Sequence, residues 1–516
     1  MPKSEPKDGI CWLVGAGPGD PGLLTLRGRD CLEQAEVLVY DYLVSPEILA
    51  MVPGKIERTY VGKQSGRHAM EQEAINALLV KLVGEGRRVV RLKGGDPFLF
   101  GRGGEEAAAL AAAGLRFEVV PGVTSAIAGP AYAGIPVTHR AFGPQLTIFT
   151  GHEDPSKPGS TLDLDAIART NGTRVMLMGV ERVGEIAHEL IARGADPATP
   201  VALIRWATTP RQETLTGTLE NIARRVQETG FKPPAVTVIG GVAGLRDELA
   251  WFERRPLFGR RIVVTRTRAQ AGSLARGLRD LGAEVIELPT IRIEPPSNPK
   301  AFREAVRDAH SYDWLVFTSP NGADRFFEAF LAEFDDLREI GGVRIAAIGP
   351  GTAARVRARH LRVDLMPARA VAEDFLERFK EIGTVDNLRM LLIRPQAARE
   401  LLARGLSDAG AIVDEAIAYR TVPETRDPGG ALQRLKEGTK IDLITFASSS
   451  AVENFLALNV TELSTVTVAS IGPVTSATLR ERGLQAGVEA AEHHVPGLID
   501  AILEHFAPSG TKPAAR

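Results

Sequence analysis

The chain of 516 residues is 44% hydrophobic and 24% charged, with a formal net charge of −2. Such a length suggests about two to four domains, the composition excludes wholesale disorder, and the charge balance offers no global basic field for nucleic acid or an anionic membrane. Two cysteines, Cys11 and Cys31, build no disulfide framework, and no Cys/His spacing points to a metal site.

Residues 1–9 are polar and proline-containing, with no apolar signal segment behind them, and are expected to be disordered. The run "AAALAAAGL" is far too short to cross a bilayer, so a cytoplasmic protein is expected. From residue 10 the first half alternates short apolar runs with helical patterns. Strands are predicted at 10–15, 35–40, 88–92, 117–120, 145–150, 174–178, 200–205 and 236–239, with amphipathic stretches at 71–84 and 104–113. This alternation predicts α/β architecture.

The first strand runs into "GAGPGDPGLLT", where Gly15, Gly17 and Gly19 imitate a dinucleotide-binding loop. Such a loop needs another glycine where Asp20 stands, and a carboxylate there opposes a pyrophosphate; no nicotinamide cofactor is expected. "RLKGGDPFLFGRGGEE" (91–106) packs five glycines, three basic residues and three carboxylates together. "VVPGVTSAIAGPAYAGIPVTHR" (119–140) carries glycines and prolines that no regular helix would tolerate throughout. Three such loops at strand ends predict a large small-molecule site, because glycine lets backbone approach a ligand closely.

"AWFERRPLFGRR" is aperiodic and arginine-rich and breaks the pattern. The expected division is a domain at 10–250, a linker at 251–257, a second unit at 258–506 and a disordered tail at 507–516. The second unit repeats itself at domain length. "RRIVVTR" returns as "RMLLIRP", "DWLVFTSPNGADRFFEAF" as "DLITFASSSAVENFLAL", and "RIAAIGPGTAARV" as "TVASIGPVTSATL". A duplicated α/β domain is predicted, its two lobes facing across a cleft.

In the first half, "VGAGPGDPGLLT", "VYDYLVS", "VGK", "LKGGDPFLFGRGGEE", "PGVTSAIAGPAYAGIPVTHR", "MLMG" and "KPPAVTVIGGV" occur in the order found in the tetrapyrrole methylases. The chain resembles most the members of that family that methylate uroporphyrinogen III. The resemblance implies a two-lobed methylase fold, S-adenosylmethionine as methyl donor, a homodimer, and transfer to two carbons of uroporphyrinogen III to give precorrin-2. It implies a donor pocket of Pro18, Gly94, Gly95, Asp96, Leu99, Thr124, Ser125, Met178, Ala207 and Ala235. Asp41 and Lys63 are its acid/base candidates, with a structural ion pair as the other reading. Arg102, Glu105 and Arg140 match its substrate-site residues, and any one of them could be the working base. The substrate is a polycarboxylate, which arginine grips through a bidentate fork. Lys63, Arg67, His68, Arg102 and Arg140 would supply the local positive charge, although Arg67 and His68 read equally well as a solvated loop.

In the second unit, "VVTR", "FTSPNG", "IGPGTA", "AYRTVPE", "FASSSAVENF" and "SIGPVTS" resemble, in order, the uroporphyrinogen-III synthases. That family implies two α/β lobes on a two-stranded connector, lobe one at 258–292 plus 421–506 and lobe two at 293–420. It implies closure of hydroxymethylbilane to uroporphyrinogen III with no metal or organic cofactor. Thr352, Tyr419 and Thr475 match its functional residues, with Tyr419 placed to help the departing hydroxyl. Ser319 and Ser448 occupy equivalent repeat positions, either to hold substrate carboxylates or to cap helices. The combined expectation is a bifunctional tetrapyrrole enzyme. The alternative is a methylase of another acceptor joined to a non-catalytic tetrapyrrole-binding module.

Overall fold

The computed structural model describes residues 9–53, 56–62, 70–152, 162–265, 268–368, 372–381, 383–398, 400–424, 430–459 and 466–507. The first sheet comprises Ile10–Gly15 (β1), Val37–Tyr40 (β2), Glu57–Tyr60 (β3), Arg88–Lys93 (β4) and Arg116–Val120 (β5), in the order β3-β2-β4-β1-β5. Every pairing in it is parallel. Alternate residues of β1 enter opposite cores: Ile10, Trp12 and Val14 pack on one face, Cys11 and Leu13 on the other. This two-sided burial is what the continuous apolar run of a parallel strand requires.

The second sheet comprises Gln145–Thr150 (β6), Gly172–Leu177 (β7), Pro200–Arg205 (β8), Glu213–Thr218 (β9) and Ala235–Ile239 (β10), in the order β6-β7-β10-β8-β9. It is mixed, with β10 antiparallel to both neighbours. The sequence pattern passed over β3 and β9. Both are edge strands with polar sequences, "ERTY" and "ETLTGT", so neither has an apolar run to find.

The second half begins with Arg261–Val264 (β11) and Glu284–Glu287 (β12), continues through Ile291–Glu294 (β13), Trp314–Phe317 (β14), Arg344–Ala347 (β15), Arg389–Pro395 (β16) and Ile412–Pro423 (β17), and ends with Leu443–Phe446 (β18), Thr467–Ser470 (β19) and Val488–Glu489 (β20). Its two sheets are β12-β11-β18-β19-β20 and β13-β17-β16-β14-β15. The order β12-β11-β18-β19 repeats as β17-β16-β14-β15, so the internal repeat of the sequence is a repeat of sheet topology. Lobe one takes strands from both ends of the unit, and lobe two is inserted between them. The antiparallel pair β13–β17 lies at the crossing, and the expected lobe boundaries at 292/293 and 420/421 fall inside these two strands.

The segment read as a linker, 251–257, is packed on both sides. Phe252 and Leu257 are buried, and Phe252 meets Tyr132 of the first half at 4.9 Å and Phe258 of the second at 5.4 Å between ring centroids. Glu253 accepts from Gln212 Nε2 at 2.8 Å and Thr214 Oγ1 at 2.7 Å, and it pairs with Arg246. Aromatic packing needs no periodicity, which is why the segment looked like a break. No described helix is long and apolar enough to cross a membrane.

Candidate functional site

The three glycine-rich loops leave the carboxyl ends of β1, β4 and β5 and meet there. Gly17 and Gly95 exchange backbone hydrogen bonds of 3.1 and 2.8 Å. Gly122 lies so close that a Cβ on it would stand 2.3 Å from the Gly95 carbonyl oxygen and 2.7 Å from Gly15 Cα. Gly122→Ala is therefore expected to cost about 1–3 kcal/mol, because backbone rather than a flexible side chain has to move. A denaturation midpoint equal to the parent's would show that the loops can separate.

Asp96 ties the same loops, accepting from Phe98 N at 2.8 Å and Gly122 N at 3.0 Å. Asp20 is occupied as well. It caps the turn Pro21–Leu23 through Gly22 N at 2.7 Å and accepts the Tyr132 hydroxyl at 2.7 Å. Burial first, and that hydrogen bond second, push the tyrosine pKa up. The residue that spoiled the dinucleotide pattern is thus an anchor between loop and helix.

Above these loops lies a cavity of about 840 Å³ whose lining includes Pro18, Asp41, Gly94, Gly95, Asp96, Leu99, Arg102, Thr124, Ser125, Met178, Ala207 and Ala235. Met178 follows β7, Ala207 follows β8, and Ala235 opens the antiparallel β10. The second sheet therefore presents one end to the loops of the first. Eight described non-glycine residues have a positive φ, and Phe100, Arg102, Met178, Trp206 and Thr208 among them line this cavity. Backbone strain concentrated in this way marks a binding site better than a packing core. Small and apolar residues dominate the Ala207–Ala235–Met178–Leu99 side, which suits close backbone contact with a flat, partly cationic ligand.

Charge is gathered on the floor. Arg91 and Lys93 project from one face of the central strand β4, while Val90 and Leu92 enter the core on the other. Glu106, from the helix Gly103–Ala112, accepts at Oε1 from Arg91 Nε at 3.0 Å and Lys93 Nζ at 2.9 Å. It is 0% exposed, and its Oε2 has no hydrogen-bond partner among the described residues. Burial, then repulsion from Arg91, hold the Lys93 pKa below its ordinary value despite the pull of Glu106. Asp41, just past β2, stands at the edge of this cluster, 3.4 Å from Arg91 Nη2, with about a quarter of its side chain exposed. Sequence reading missed Arg91, Lys93 and Glu106. Two cations two residues apart, interrupting the apolar residues of a central strand, were the available signal.

The other expected residues are placed unevenly. Arg102 forms a bidentate pair with Glu105 at 2.8 and 2.7 Å, and the hydrogen bond from Arg102 lowers the Glu105 pKa. Arg102 lines the cavity; Glu105 and the exposed Arg140 are not in its lining. Lys63, Arg67 and His68 lie outside the described residues. Among the described residues, no group of three or more His, Cys, Asp or Glu could hold a metal ion.

In the second half, Ser319 and Ser448 cap equivalent helices, accepting from Gly322 N at 3.1 Å and Ala451 N at 3.3 Å. Thr352 and Thr475 occupy matching positions in the helices Pro350–Arg357 and Pro473–Glu481, and both are buried. Tyr419 is buried in the core of lobe two, its hydroxyl 3.1 Å from Ser319 Oγ. The serines and threonines sit just past the carboxyl ends of their strands, where ligands of open α/β sheets are bound, and Tyr419, within β17, lies opposite Pro395 at the carboxyl end of β16.

Residues 11–223 match the family model of the tetrapyrrole (corrin/porphyrin) methylases, and residues 272–500 that of uroporphyrinogen-III synthase HemD. The porphyrin biosynthesis protein HemD of Ruminiclostridium josui is 36% identical over 504 residues, 96% of this chain and 98% of that protein. A uroporphyrinogen-III C-methyltransferase of Bacillus subtilis is 44% identical over 334 residues, covering 65% of this chain and 68% of its own. An S-adenosyl-L-methionine-dependent uroporphyrinogen III methyltransferase of Methanosarcina barkeri is 53% identical over 241 residues, covering 47% of this chain and 94% of its own. The chain belongs to both families: an enzyme of the tetrapyrrole methylases is fused to one of the HemD uroporphyrinogen-III synthases.

Proposed function

We propose that the second half closes hydroxymethylbilane to uroporphyrinogen III and that the first half methylates this product twice, giving precorrin-2. The observation that carries the first-half reading is the cavity itself, in which a small-residue pocket adjoins a buried cationic floor with one partly exposed carboxylate. S-adenosylmethionine supplies an electrophilic methyl group when bound among Gly94, Leu99, Met178, Ala207 and Ala235. A pyrrole carbon forms the new C–CH₃ bond as the S–CH₃ bond breaks, and the ring N–H proton passes to Asp41. Arg91, itself fixed by Glu106, holds Asp41 in place from 3.4 Å. The donor leaves as S-adenosylhomocysteine. Incubation with hydroxymethylbilane and S-adenosylmethionine, followed by mass and isomer analysis, tests the pair of activities. Absence of methylated tetrapyrrole from both hydroxymethylbilane and uroporphyrinogen III would refute the scheme.

In the second half the enzyme's task is to bend a flexible chain and help hydroxide leave. Helix N-termini carrying Ser319, Thr352, Ser448 and Thr475 offer backbone N–H groups to the substrate's carboxylates. Tyr419, donating to the departing oxygen, is the acid. Tyr419→Phe is expected to slow ring closure by roughly 10²–10⁴-fold and to shift product towards uroporphyrinogen I, since spontaneous closure then competes. Methyl transfer from preformed uroporphyrinogen III should stay at the parental rate. An unchanged closure rate and isomer ratio would reduce Tyr419 to a core residue hydrogen-bonded to Ser319.

A further inference from the structure

The cavity of the first half is not walled by that half alone. Arg279, Glu284 and Arg434, from lobe one of the synthase unit, also line it, beside Arg211 and Arg255. Arg434 and Arg261 share the carboxylate of Glu284, Arg261 at 2.8 Å, and Arg279 pairs with Glu287 at 2.6 Å. The Arg211 guanidinium carbon stands over the Trp206 ring, 4.6 Å from its centroid, and that of Arg255 over Trp251 and Phe252 at 4.8 and 5.0 Å. Neither Arg211 nor Arg255 has a carboxylate within ion-pair distance among the described residues. Four guanidinium groups, those of Arg211, Arg255, Arg279 and Arg434, therefore line this rim beside one carboxylate, Glu284, and the excess is positive.

We propose that this rim binds carboxylates of the tetrapyrrole that the first half methylates, so that the synthase half completes the methylation site. The inference rests on the methylation reading above and extends it to residues of the other half. An arginine seated over an aromatic ring is held in place while its N–H edge stays open, which is the geometry that grips a carboxylate. Joining the halves does not require these two cations, because Phe252 already packs against Tyr132 of the first half and Phe258 of the second. The methyl donor does not call for them either, since the pocket proposed for it is built of small and apolar residues. A polycarboxylate larger than that pocket has edges to place, and a cationic rim beside the mouth also draws it in from solution.

The test uses the full chain carrying Arg255→Gln and Arg279→Gln, with Arg211→Gln as a separate variant. Lys300→Gln, on an exposed helix of lobe two, is the charge-matched control. Steady-state methylation of uroporphyrinogen III, calorimetric binding of S-adenosylmethionine and closure of hydroxymethylbilane are measured on the same samples. The double variant is expected to raise KM for uroporphyrinogen III about tenfold, with donor affinity and ring closure unchanged. Its KM should also depend less on salt than the parent's. A KM equal to that of the parent or the control overturns the assignment, as does a loss of donor affinity in step with KM. Failure of the unaltered chain to methylate uroporphyrinogen III would instead remove the methylation reading on which the rim depends.

Discussion

Replacing Glu106 by glutamine is expected to destabilise the first half by about 3–5 kcal/mol, because it leaves the buried Lys93 without its counter-charge and Arg91 with the longer 3.4 Å pair to Asp41. Arg91 and Lys93 are only 3% and 5% exposed and Glu106 is fully buried, so water cannot screen the loss. The deficit should shrink as pH rises. The Lys93 pKa is already lowered from its ordinary 10.5, so above that lowered value the folded state holds fewer protons than the unfolded one, and stability increases with pH up to about 10.5. Removing Glu106 lowers the lysine further and widens this window. Calorimetric unfolding of parent and variant between pH 7 and about 10 measures the effect. A deficit that does not change with pH would mean that Lys93 is not the group paying it.

Asp41→Asn should slow methyl transfer by roughly 10²–10⁴-fold while leaving S-adenosylmethionine affinity intact. The substitution keeps an oxygen for the hydrogen bond from Leu43 N, 3.3 Å in the parent, so the loop should keep its shape. What it removes is the carboxylate that stands at the edge of the buried floor and lines the cavity. Single-turnover methylation with saturating donor is the decisive measurement. A parental rate would move the proton to another group and leave Asp41 as an ion-pair partner of Arg91.

Much of this arrangement is legible in the residues. Apolar runs locate eight strands of the first half, the central ones because they are buried on both faces and the edge strands β5 and β6 because their sequences, "RFEVV" and "QLTIFT", still carry apolar residues, and the repeat of "FTSPNG" and "FASSSA" marks equivalent strand-to-helix turns. Polar edges such as β3 and β9 are not legible, because a strand with one free edge and a wet face needs no apolar run. The cationic floor was hidden for a different reason. Arg91, Lys93 and Glu106 look like surface residues until the fold places a helix over the strand, and their pairing is a tertiary fact. The segment 119–140, expected not to be helical throughout, holds one short helix, Ser125–Tyr132, with Pro130 inside it. The arginine rim could not be found by reading either half alone, since its members come from both.

The seam between the halves adjoins the starting ends of β11 and β12, where Arg261 and Glu284 pair, whereas Ser448 and Thr475 lie past the finishing ends of β18 and β19. With ring closure assigned to the finishing ends, the sheet of lobe one stands between the place where the macrocycle is made and the rim proposed to receive it. The macrocycle must then be released and caught again. Covalent linkage fixes the two catalysts at one-to-one supply and raises the chance of recapture, but it does not hide the intermediate. Any other enzyme that consumes the same macrocycle can compete for it at this step, and labelled uroporphyrinogen III added from outside should mix with what the chain makes.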